Sequence, residues 1–487
     1  MQLSELLKNW PCEVKGSIRV KIEGISENLS NVTENNLFVL RKGKNFNPFP
    51  QLPEIVKKGA AAIVVEDEKF FVQTNLNVPL IWVPNILSFM AYASHVLHGK
   101  PSELLKVIAV TGTNGKTSVT HFISQLLNGC HKKVMVVGTN GVFVNGQEDK
   151  ALAVESLTTL GPIQFHQLLA KAVEQQVEYV VLEASSIGLM MHRLDFCEID
   201  IGVFLNLSQD HLDVHGSMEA YKLAKQRLAI LAKRLVFNKD DSFCRAVSIV
   251  CRKKKAEFSI KEKANVHFQA LYQTPQTTFG IIQDETSYHM IELPFRFPHE
   301  LSNVMAAITV MRMLEFDLKE ICKVCSDLQL PKGRLERFSL EKGTDVYVDY
   351  AHSPGAFLAV LQPLKQMSHY KRVIVVFGCG GDRDRLKRTE MGRVASKFAD
   401  LIFLTSDNSR NESVEKINEQ IKKGFFATQQ YEEIADREQA IVAALKEAGE
   451  NDVVLILGKG HETSQMIGNT AVYFSDQEVI KNYLEKG

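Results

Sequence analysis

The residues most able to do chemistry form the run Thr111-Gly112-Thr113-Asn114-Gly115-Lys116-Thr117-Ser118. It follows the apolar run Val107 to Val110 and precedes a helical pattern, so it reads as a loop that joins a strand to a helix. Glycines let such a loop curl until backbone N–H groups and the helix N-terminus face a phosphate, Lys116 adds a positive charge, and the Thr117 hydroxyl can ligate Mg²⁺. The run predicts a nucleotide-phosphate loop, although the full pattern has glycine where this chain has Val110.

Two other segments place polar side chains directly after apolar runs. Glu183 ends the run Tyr179 to Leu182, and Asn206-Leu207-Ser208-Gln209-Asp210-His211-Leu212-Asp213-Val214-His215-Gly216 follows the run Ile201 to Phe204. Ligands of open α/β sheets bind beyond the carboxyl ends of the strands, which is where these groups would lie. The spacing leaves two alternatives open, a metal site or a hydrogen-bonded loop, because His-x-Asp-x-His is not diagnostic of one metal.

The elements that position these residues predict an α/β fold. Runs rich in valine and isoleucine alternate with helical stretches, as in strands buried on both faces of a parallel sheet. The predicted strands are Val107 to Val110, Val134 to Val137, Tyr179 to Leu182, Ile201 to Phe204, Val373 to Phe377, Leu401 to Leu404 and Val453 to Leu457. A helical stretch is predicted from Leu301 to Leu328.

A length of 487 residues predicts about three domains at roughly 150 residues each. The punctuation at His98-Gly99-Lys100-Pro101 and at Leu330-Pro331-Lys332-Gly333 places the boundaries. We expect a small N-terminal α/β domain over 1–99, a central parallel-sheet domain with the phosphate loop over 100–330, and a Rossmann-like α/β domain over 331–487.

Composition excludes several classes of protein. Lys plus Arg and Asp plus Glu are both 57, so no net charge draws the chain to nucleic acid or to an anionic membrane. The N-terminus Met1-Gln2-Leu3-Ser4-Glu5 lacks the pattern of a signal peptide, and no apolar run approaches the ~18 residues of a spanning helix. Eight scattered cysteines form no dense framework. These features predict a cytoplasmic globular protein without a membrane span.

The combination of motifs resembles the Mur ligase family, ATP-dependent enzymes that add amino acids to the peptidoglycan precursor, and within it the MurE type that adds the third residue of the peptide. The similarity covers the central and C-terminal regions nearly throughout. Besides the loop, it rests on Glu183-x-Ser185-Ser186, the run 206–216, Tyr221-x-x-Ala224-Lys225, Gly333-Arg334-x-Glu336, Asp349-Tyr350-Ala351-His352 and Phe377-Gly378-Cys379-Gly380-Gly381-Asp382-Arg383-Asp384.

The resemblance implies a role for each of these groups. ATP would bind at Thr111, Gly112, Thr113, Asn114, Gly115, Lys116, Thr117 and Ser118, with Asn303, Arg334, Asp349 and His352. Mg²⁺ would be held by Thr117, Glu183 and His211, and Lys225, if carbamylated, would ligate a second Mg²⁺. Lys116, Glu183, His211 and Lys225 are thus the expected catalytic group. A substrate carboxylate would take the γ-phosphate, and an amine would then displace phosphate from the acyl phosphate.

The same resemblance assigns the two other substrates, a nucleotide-sugar peptide and an amino acid, and implies a monomer. The acceptor would contact Thr158, Thr159, Ser185 and Arg193, and the amino acid would contact Arg388, Asp407, Asn408, Arg410, Gly458 and Glu462. Members that add diaminopimelate carry Asp-Asn-Pro-Arg where this chain has Asp407-Asn408-Ser409-Arg410. An arginine can grip a second carboxylate that lysine lacks, so the run favours meso-diaminopimelate over L-lysine.

Departures from the family concentrate at the acceptor end. The uridine-binding Asp-Ser-Arg falls on Glu27-Asn28-Leu29, and Asp-Gly-His falls on about Asn47-Pro48-Phe49. Leu160, Ile187 and Met191 replace a proline, a histidine and a glutamine, and Gly355 stands where aspartate is common. Three hypotheses follow: a divergent cell-wall ligase, a related ligase that acts on a different carboxylate in a specialised pathway, and a nucleotide-binding regulator without turnover. The presence of Lys116, Glu183, His211 and Lys225 argues against the third.

Overall fold

The computed structural model describes residues 1–43, 47–152, 157–274, 276–340 and 343–486. Within those residues, no helix has both the length and the apolar character needed to cross a membrane.

The N-terminal region is a small α/β assembly. Its strands are β1 (Glu13–Lys15), β2 (Gly24–Ser26), β3 (Asn36–Val39), β4 (Ala60–Val65) and β5 (Leu80–Trp82), and its helices are α1 (Leu3–Leu7), α2 (Leu52–Lys57), α3 (Glu68–Gln73) and α4 (Ile86–Leu97). The sheet order is β1-β5-β4-β3-β2, with β1 antiparallel to β5 and the other pairs parallel. Alternate residues of β4 enter two separate apolar cores, Ala62 and Val64 in one and Ile63 and Val65 in the other, so the sheet is buried on both faces.

The middle region begins at the strand that precedes the phosphate loop. Its strands are β6 (Lys106–Thr111), β7 (Val134–Gly138), β8 (Gly141–Val144), β9 (Gln147–Glu148), β10 (Tyr179–Glu183), β11 (Ile199–Phe204), β12 (Ala232–Asn238), β13 (Lys255–Ser259), β14 (Val266–Gln273), β15 (Thr278–Gln283) and β16 (Tyr288–Leu293). Its helices are α5 (Lys116–Gly129), α6 (Pro162–Glu174), α7 (Ser186–Met190), α8 (Leu212–His215), α9 (Met218–Leu231), α10 (Ser242–Val250), α11 (Pro298–Met313) and α12 (Leu318–Cys325).

The parallel strands β6 and β10 bring Val110 and Glu183 to the same end of their sheet. β10 lies between β6 and β7 and is parallel to both, with Val181 opposite Ile108 on one side and Val136 on the other. The predicted strands of this region are confirmed, because each apolar run forms a strand that is buried except at Tyr179, which is partly exposed. Glu183 pairs in register with Val110, at the carboxyl end where the phosphate loop begins.

The predicted helix from Leu301 to Leu328 is corrected to two helices, α11 and α12. Glu315 lies between them with a left-handed backbone, φ 71°, which no α-helix tolerates in its interior. Asp317 then caps the second helix, since its side chain accepts a hydrogen bond from the Lys319 N–H at 2.8 Å. The apolar pattern continues through the break between the two helices, and so it resembles the pattern of one long helix.

The C-terminal region contains a second, mainly parallel sheet and, separate from it, an antiparallel pair formed by its last two strands. Its strands are β17 (Glu336–Ser339), β18 (Asp345–Asp349), β19 (Val373–Phe377), β20 (Leu401–Leu404), β21 (Gln430–Glu433), β22 (Val453–Leu457), β23 (Ser464–Ile467) and β24 (Thr470–Tyr473). Its helices are α13 (Pro354–Gln366), α14 (Leu386–Phe398), α15 (Val414–Lys422), α16 (Arg437–Glu447) and α17 (Asp476–Lys486). The order is β17-β18-β22-β19-β20-β21, with only the edge strand β17 antiparallel to its neighbour, and apolar cores cover both faces.

The α/β class with sheets in three successive regions is therefore confirmed. By contacts the chain divides into two compact units. The first comprises Met1–Thr111, His131–Gly202 and Ala224–Leu235, and the second comprises Gly112–Cys130, Val203–Leu223 and Val236–Gly487.

Glu300 caps the helix that carries Asn303, and it is buried. Its carboxylate accepts hydrogen bonds from the backbone N–H groups of Arg296 and Phe297 at 3.1 and 3.0 Å. Burial raises the pKa of Glu300 to about 7 in spite of these bonds, and the nearby Asp349 adds to the rise.

A raised carboxyl pKa makes the fold less stable as pH rises. Between the ordinary pKa near 4.5 and the folded pKa near 7, the folded state holds a proton that the unfolded state has lost. We expect the wild-type chain to lose on the order of 3 kcal/mol relative to Glu300→Gln across that window, and nothing further above it. Thermal unfolding of both proteins from pH 4.5 to 8 measures the difference, and parallel curves would contradict it.

Candidate active site

The phosphate loop is held in shape by the segment that follows β11. Asn206 Oδ1 accepts from the backbone N–H of Asn114 at 2.9 Å, and Asn206 Nδ2 donates to the carbonyl of Asn114 at 3.1 Å. The Thr113 hydroxyl lies 3.0 Å from the Ser208 N–H, which donates to it, and 3.1 Å from the Tyr221 hydroxyl. Two side chains thus fix two consecutive loop residues.

Gly115 is required at the point where the loop turns into α5. Its φ is +88°, and a Cβ there would lie 2.6 Å from Oδ1 of Asn303 on α11. The close approach places the Asn303 amide against the N-terminus of α5. Thr111 and Ser118, at the two ends of the predicted run, are buried.

Lys116 and Thr117 both engage polar groups in this structure. Lys116 Nζ donates to the carbonyl oxygens of Gly112 and Thr113, both at 3.0 Å, which holds the ammonium over the loop. The Thr117 hydroxyl accepts from Arg334 Nη2 at 3.1 Å. A guanidinium beside this hydroxyl shows that its oxygen faces positive charge.

The Asp349 to His352 run supports Arg334. The Asp349 carboxylate accepts from the N–H groups of Leu335 and Ala351, both at 2.8 Å, and so ties the Arg334 turn to the end of β18. Burial raises the pKa of Asp349, against the opposing charge of Arg334. The Arg334 guanidinium lies over the Tyr350 ring, 4.7 Å from its centre.

Asp210 is the most strongly anionic group near the loop. Its carboxylate lies 3.7 Å from His211 Nε2, from His352 Nε2 and from Lys387 Nζ. Burial would raise the pKa of Asp210, but these three groups outweigh burial and lower it to about 2. Burial also lowers the pKa of His352 to about 4, so His352 is neutral at neutral pH. No sequence pattern singled out Lys387, which directly precedes Arg388.

The predicted acceptor residues form one hydrogen-bonded group in the first unit. The Thr159 hydroxyl accepts from the Ser185 N–H at 2.9 Å and lies 2.8 Å from the Glu183 carbonyl. Arg193 Nη1 donates to the Thr159 carbonyl at 2.6 Å. Thr158 joins the group through the Thr139 hydroxyl at 3.1 Å.

Two of the predicted metal ligands, Thr117 and Glu183, supply the oxygen atoms that Mg²⁺ prefers. Glu183 is 1% exposed, and its two carboxylate oxygens accept from the Thr139 N–H and hydroxyl at 2.9 and 3.2 Å. Lys225 is also 1% exposed. Glu183 and Lys225 belong to the first unit, and Thr117 and His211 belong to the second. Among the described residues, no three His, Cys, Asp or Glu side chains form a metal cage by themselves.

The C-terminal sheet brings together all but one of the predicted amino-acid-binding residues. Asn408 Nδ2 donates to Glu462 Oε2 at 3.0 Å, and a Cβ on Gly458 would meet Asp407 Oδ2 at 2.6 Å. The fully buried Lys459 donates to the same Glu462 oxygen at 3.0 Å. Lys459 lies between the predicted residues Gly458 and Glu462, but it was missed because burial of a lysine is not visible in sequence.

The two arginines of this site differ in the structure. Arg410 is half-buried, and its Nη1 donates to the Gly381 carbonyl at 2.9 Å. Arg388 is 0% exposed and donates to both oxygens of Glu412 and to the Gly380 carbonyl. Arg388 is thus engaged by the protein, while the rest of the group converges about Asn408.

This arrangement defines an enzyme class. A strand, a glycine-containing phosphate loop and a helix bind nucleotide phosphates, and the polar ends of a second parallel sheet bind another ligand. The two arrangements together are typical of nucleotide-dependent enzymes.

Comparison with known proteins identifies the family. Residues 110–311 match the Mur ligase middle domain, and residues 333–460 match the Mur ligase, glutamate ligase domain. The chain belongs to the Mur ligase family. It is an ADP-forming ligase that uses ATP and acts in peptidoglycan synthesis.

The similarity to known proteins extends over nearly the whole length of this chain. A Clostridium acetobutylicum protein named "UDP-N-acetylmuramoyl-L-alanyl-D-glutamate--2,6-diaminopimelate ligase 2" is 35% identical and covers 99% of this chain and 100% of its own. A Caldanaerobacter subterraneus subsp. tengcongensis protein named "UDP-N-acetylmuramoyl-L-alanyl-D-glutamate--2,6-diaminopimelate ligase" is also 35% identical, with 99% of both chains covered. A solved structure of a UDP-N-acetylmuramoyl-L-alanyl-D-glutamate--2,6-diaminopimelate ligase matches with a TM-score of 0.69 and 29% identity, covering 100% of this chain and 99% of that one.

The tight turn at Gly115 gives a direct test of the phosphate loop. Alanine there must adopt a left-handed backbone, at a cost of roughly 1–2 kcal/mol, and its methyl group collides with Asn303. We expect Gly115→Ala to weaken MgADP binding at least about tenfold, as measured by titration calorimetry. Gly99→Ala is the matched control, because Gly99 has φ +76° and no neighbour within 4 Å of its Cβ. Equal affinities in the two variants would contradict the role of this turn.

Proposed function

We propose that this chain catalyses the ATP-dependent addition of meso-diaminopimelate to UDP-N-acetylmuramoyl-L-alanyl-D-glutamate. The observation that carries the proposal is the cluster of Asp407, Asn408, Arg410, Gly458 and Glu462, in a chain whose full-length relatives are named for this reaction. The acceptor would bind through Thr158, Thr159, Ser185 and Arg193.

The reaction would proceed in two displacements. An acceptor carboxylate oxygen attacks the γ-phosphate of ATP, so ADP leaves and an acyl phosphate forms. The amine of the amino acid then attacks the acyl carbon, phosphate leaves with that oxygen, the amine loses a proton, and an amide remains. Lys116 offsets phosphate charge, and the loop and Asn303 position the nucleotide, so catalysis is mostly positioning and charge neutralisation.

Mg²⁺ would be held by Thr117, Glu183 and His211, and it would neutralise phosphate charge when bound. A second Mg²⁺ would need an anionic ligand from Lys225. Lys225 is 1% exposed, and a carbamate on it would turn that end of the side chain into oxygen ligands.

The organisation expected from the sequence completes the proposal. Residues 1–99 would bind the nucleotide-sugar end of the acceptor, 100–330 the ATP, and 331–487 the amino acid. A monomer in the cytoplasm, where ATP is made, would suit this reaction.

A second candidate is a related ligase that takes a different carboxylate, and the N-terminal region favours it. Phe49, at the position of the family histidine, stacks on Phe70 with ring centres 4.1 Å apart, and Lys42 covers it at 4.6 Å. Arg41 pairs with Glu27 at 2.7 Å, beside the leucine that replaces the family arginine. The side chains at these positions thus contact one another, where the family residues would bind uridine.

Phosphate release separates the two candidates. We would assay the purified protein with MgATP and UDP-N-acetylmuramoyl-L-alanyl-D-glutamate, in parallel with meso-diaminopimelate, L-lysine and no amino acid. Release that needs both the precursor and diaminopimelate supports the first candidate. Tight ATP binding with no release in any arm excludes it and favours a different carboxylate.

Arg410 is expected to select diaminopimelate through its distal carboxylate. A charge-assisted hydrogen bond contributes roughly 1.5–3 kcal/mol, so Arg410→Ala should raise the KM for diaminopimelate about tenfold or more and leave the KM for ATP unchanged. Arg393→Ala is the control, because Arg393 is exposed and pairs with Glu390 on its own helix. An equal rise for lysine and diaminopimelate would remove Arg410 from the specificity argument.

Carbamylation of Lys225 can be tested by chemical rescue. Lys225→Ala should lose turnover and regain part of it with added formate or acetate, which supply the missing carboxylate oxygens. Lys222→Ala, on the same helix with an exposed Lys222–Glu219 pair, should remain active. Mass spectrometry of the wild-type protein under bicarbonate that shows no labile 44 Da adduct, as expected for CO₂ on an amine, would count against the modification.

A further inference from the structure

A buried arginine lies beneath the proposed amino-acid site without belonging to it. Arg437 opens α16 and Asp476 opens α17, and both side chains are 0% exposed. Arg437 Nε donates to Oδ1 and Nη2 donates to Oδ2 of Asp476, each at 2.8 Å. This two-pronged contact fixes the plane of the guanidinium, so the remaining donors have a set direction.

Those donors hold the bases of both amino-acid loops. Arg437 Nη1 donates to the Ser406 carbonyl at 3.3 Å, and Nη2 donates to the Leu457 carbonyl at 3.1 Å. Ser406 precedes the run 407–410, and Leu457 precedes the run 458–462. The strands that lead into these runs, β20 and β22, lie on either side of β19. One guanidinium therefore spans the end of β19 and connects the two loops.

Neighbouring contacts restrict the same two loops. Gln477, next to Asp476, donates from Nε2 to the Gly460 carbonyl at 2.8 Å. A Cβ on Gly378, just after β19, would lie 3.0 Å from the Asp407 nitrogen, so the 405–407 segment crosses directly over the end of that strand. With α17 on one side and β19 below, the carbonyls have little room to move apart while Arg437 holds them.

We infer that Arg437, oriented by Asp476, is a positioning residue for the amino-acid site: it sets the separation between the loop of Asn408 and Arg410 and the loop of Glu462. The inference rests on the proposed function for the identity of the ligand. Desolvation offsets much of the attraction in a buried ion pair, and apolar replacement of both partners is often neutral for stability. The apolar replacement cannot supply the two directional bonds to the loop carbonyls.

The test replaces both partners at once, Arg437→Met with Asp476→Leu, so that no unpaired charge is left buried. We expect the Tm to stay within about 4 °C of wild type. The KM for meso-diaminopimelate should rise at least tenfold, while the KM for ATP stays within twofold. Arg437→Lys, which keeps the charge but not the planar fork, should show a smaller rise in the same KM.

The matched control lies at the opposite end of the same sheet. Arg372 pairs with Asp452 at 2.7 Å and donates to the Glu447 carbonyl at 2.9 Å, before β19 and β22 begin. Arg372→Met with Asp452→Leu removes this ion pair without leaving the buried Asp452 carboxylate behind, and it should leave both KM values unchanged. An equal rise in the diaminopimelate KM for this control would mean that general loosening of the sheet, and not loss of the Arg437 hydrogen bonds, raises that KM.

Hydrogen exchange without substrate separates this inference from the proposed function. Amides of 405–411 and 457–463 should exchange at least tenfold faster in the double variant, including Gly458, whose N–H donates to the Asp349 carbonyl at 3.1 Å. If the wild-type protein does not consume diaminopimelate, the proposed function fails and exchange alone decides the inference. Unchanged exchange in the folded double variant overturns it. If that variant does not fold, unchanged exchange in Arg437→Lys overturns it equally.

Discussion

The pair of hydrogen bonds between the Asn206 side chain and the Asn114 backbone is the contact on which the site depends. It fixes a loop that has no regular structure of its own, with Oδ1 and Nδ2 at 2.9 and 3.1 Å from the Asn114 nitrogen and oxygen. Backbone N–H groups bind phosphate only when they converge. Without the Asn206 hydrogen bonds the loop would therefore lose its binding geometry even with its own residues unchanged. Gly115 and Asn303 complete the turn.

The C-terminal sheet applies the same principle with a different device. Loops at the carboxyl ends of parallel strands carry the polar groups, and buried side chains fix their spacing. Lys459 holds Asn408 and Glu462 together from within the loops, and Arg437 holds the strand ends from below. Each is a cation whose donors are directed at carbonyl and carboxylate oxygens. These charged side chains therefore contribute more to the positions of the loops than to the stability of the fold.

Local patterns in the sequence predicted most of the parallel strands and the phosphate loop, because apolar runs and glycine spacing are properties of short segments. Contacts between distant segments could not be predicted in this way. Lys387 beside Asp210, Arg437 beside Leu457 and the Arg388–Glu412 pair join residues far apart in sequence. The break at Glu315 was missed because an apolar pattern does not record a left-handed residue. The catalytic and ligand-binding roles of the site residues stay predictions.

Transfer of an oxygen atom tests the central claim, that ATP activates an acceptor carboxylate as an acyl phosphate. The precursor would be labelled with ¹⁸O in its reacting carboxylate and turned over with MgATP and meso-diaminopimelate, and the released phosphate would be analysed by mass spectrometry. Attack by the carboxylate on the γ-phosphate predicts one ¹⁸O atom in each phosphate formed from fully labelled substrate. Amide product accompanied by unlabelled phosphate would contradict the account.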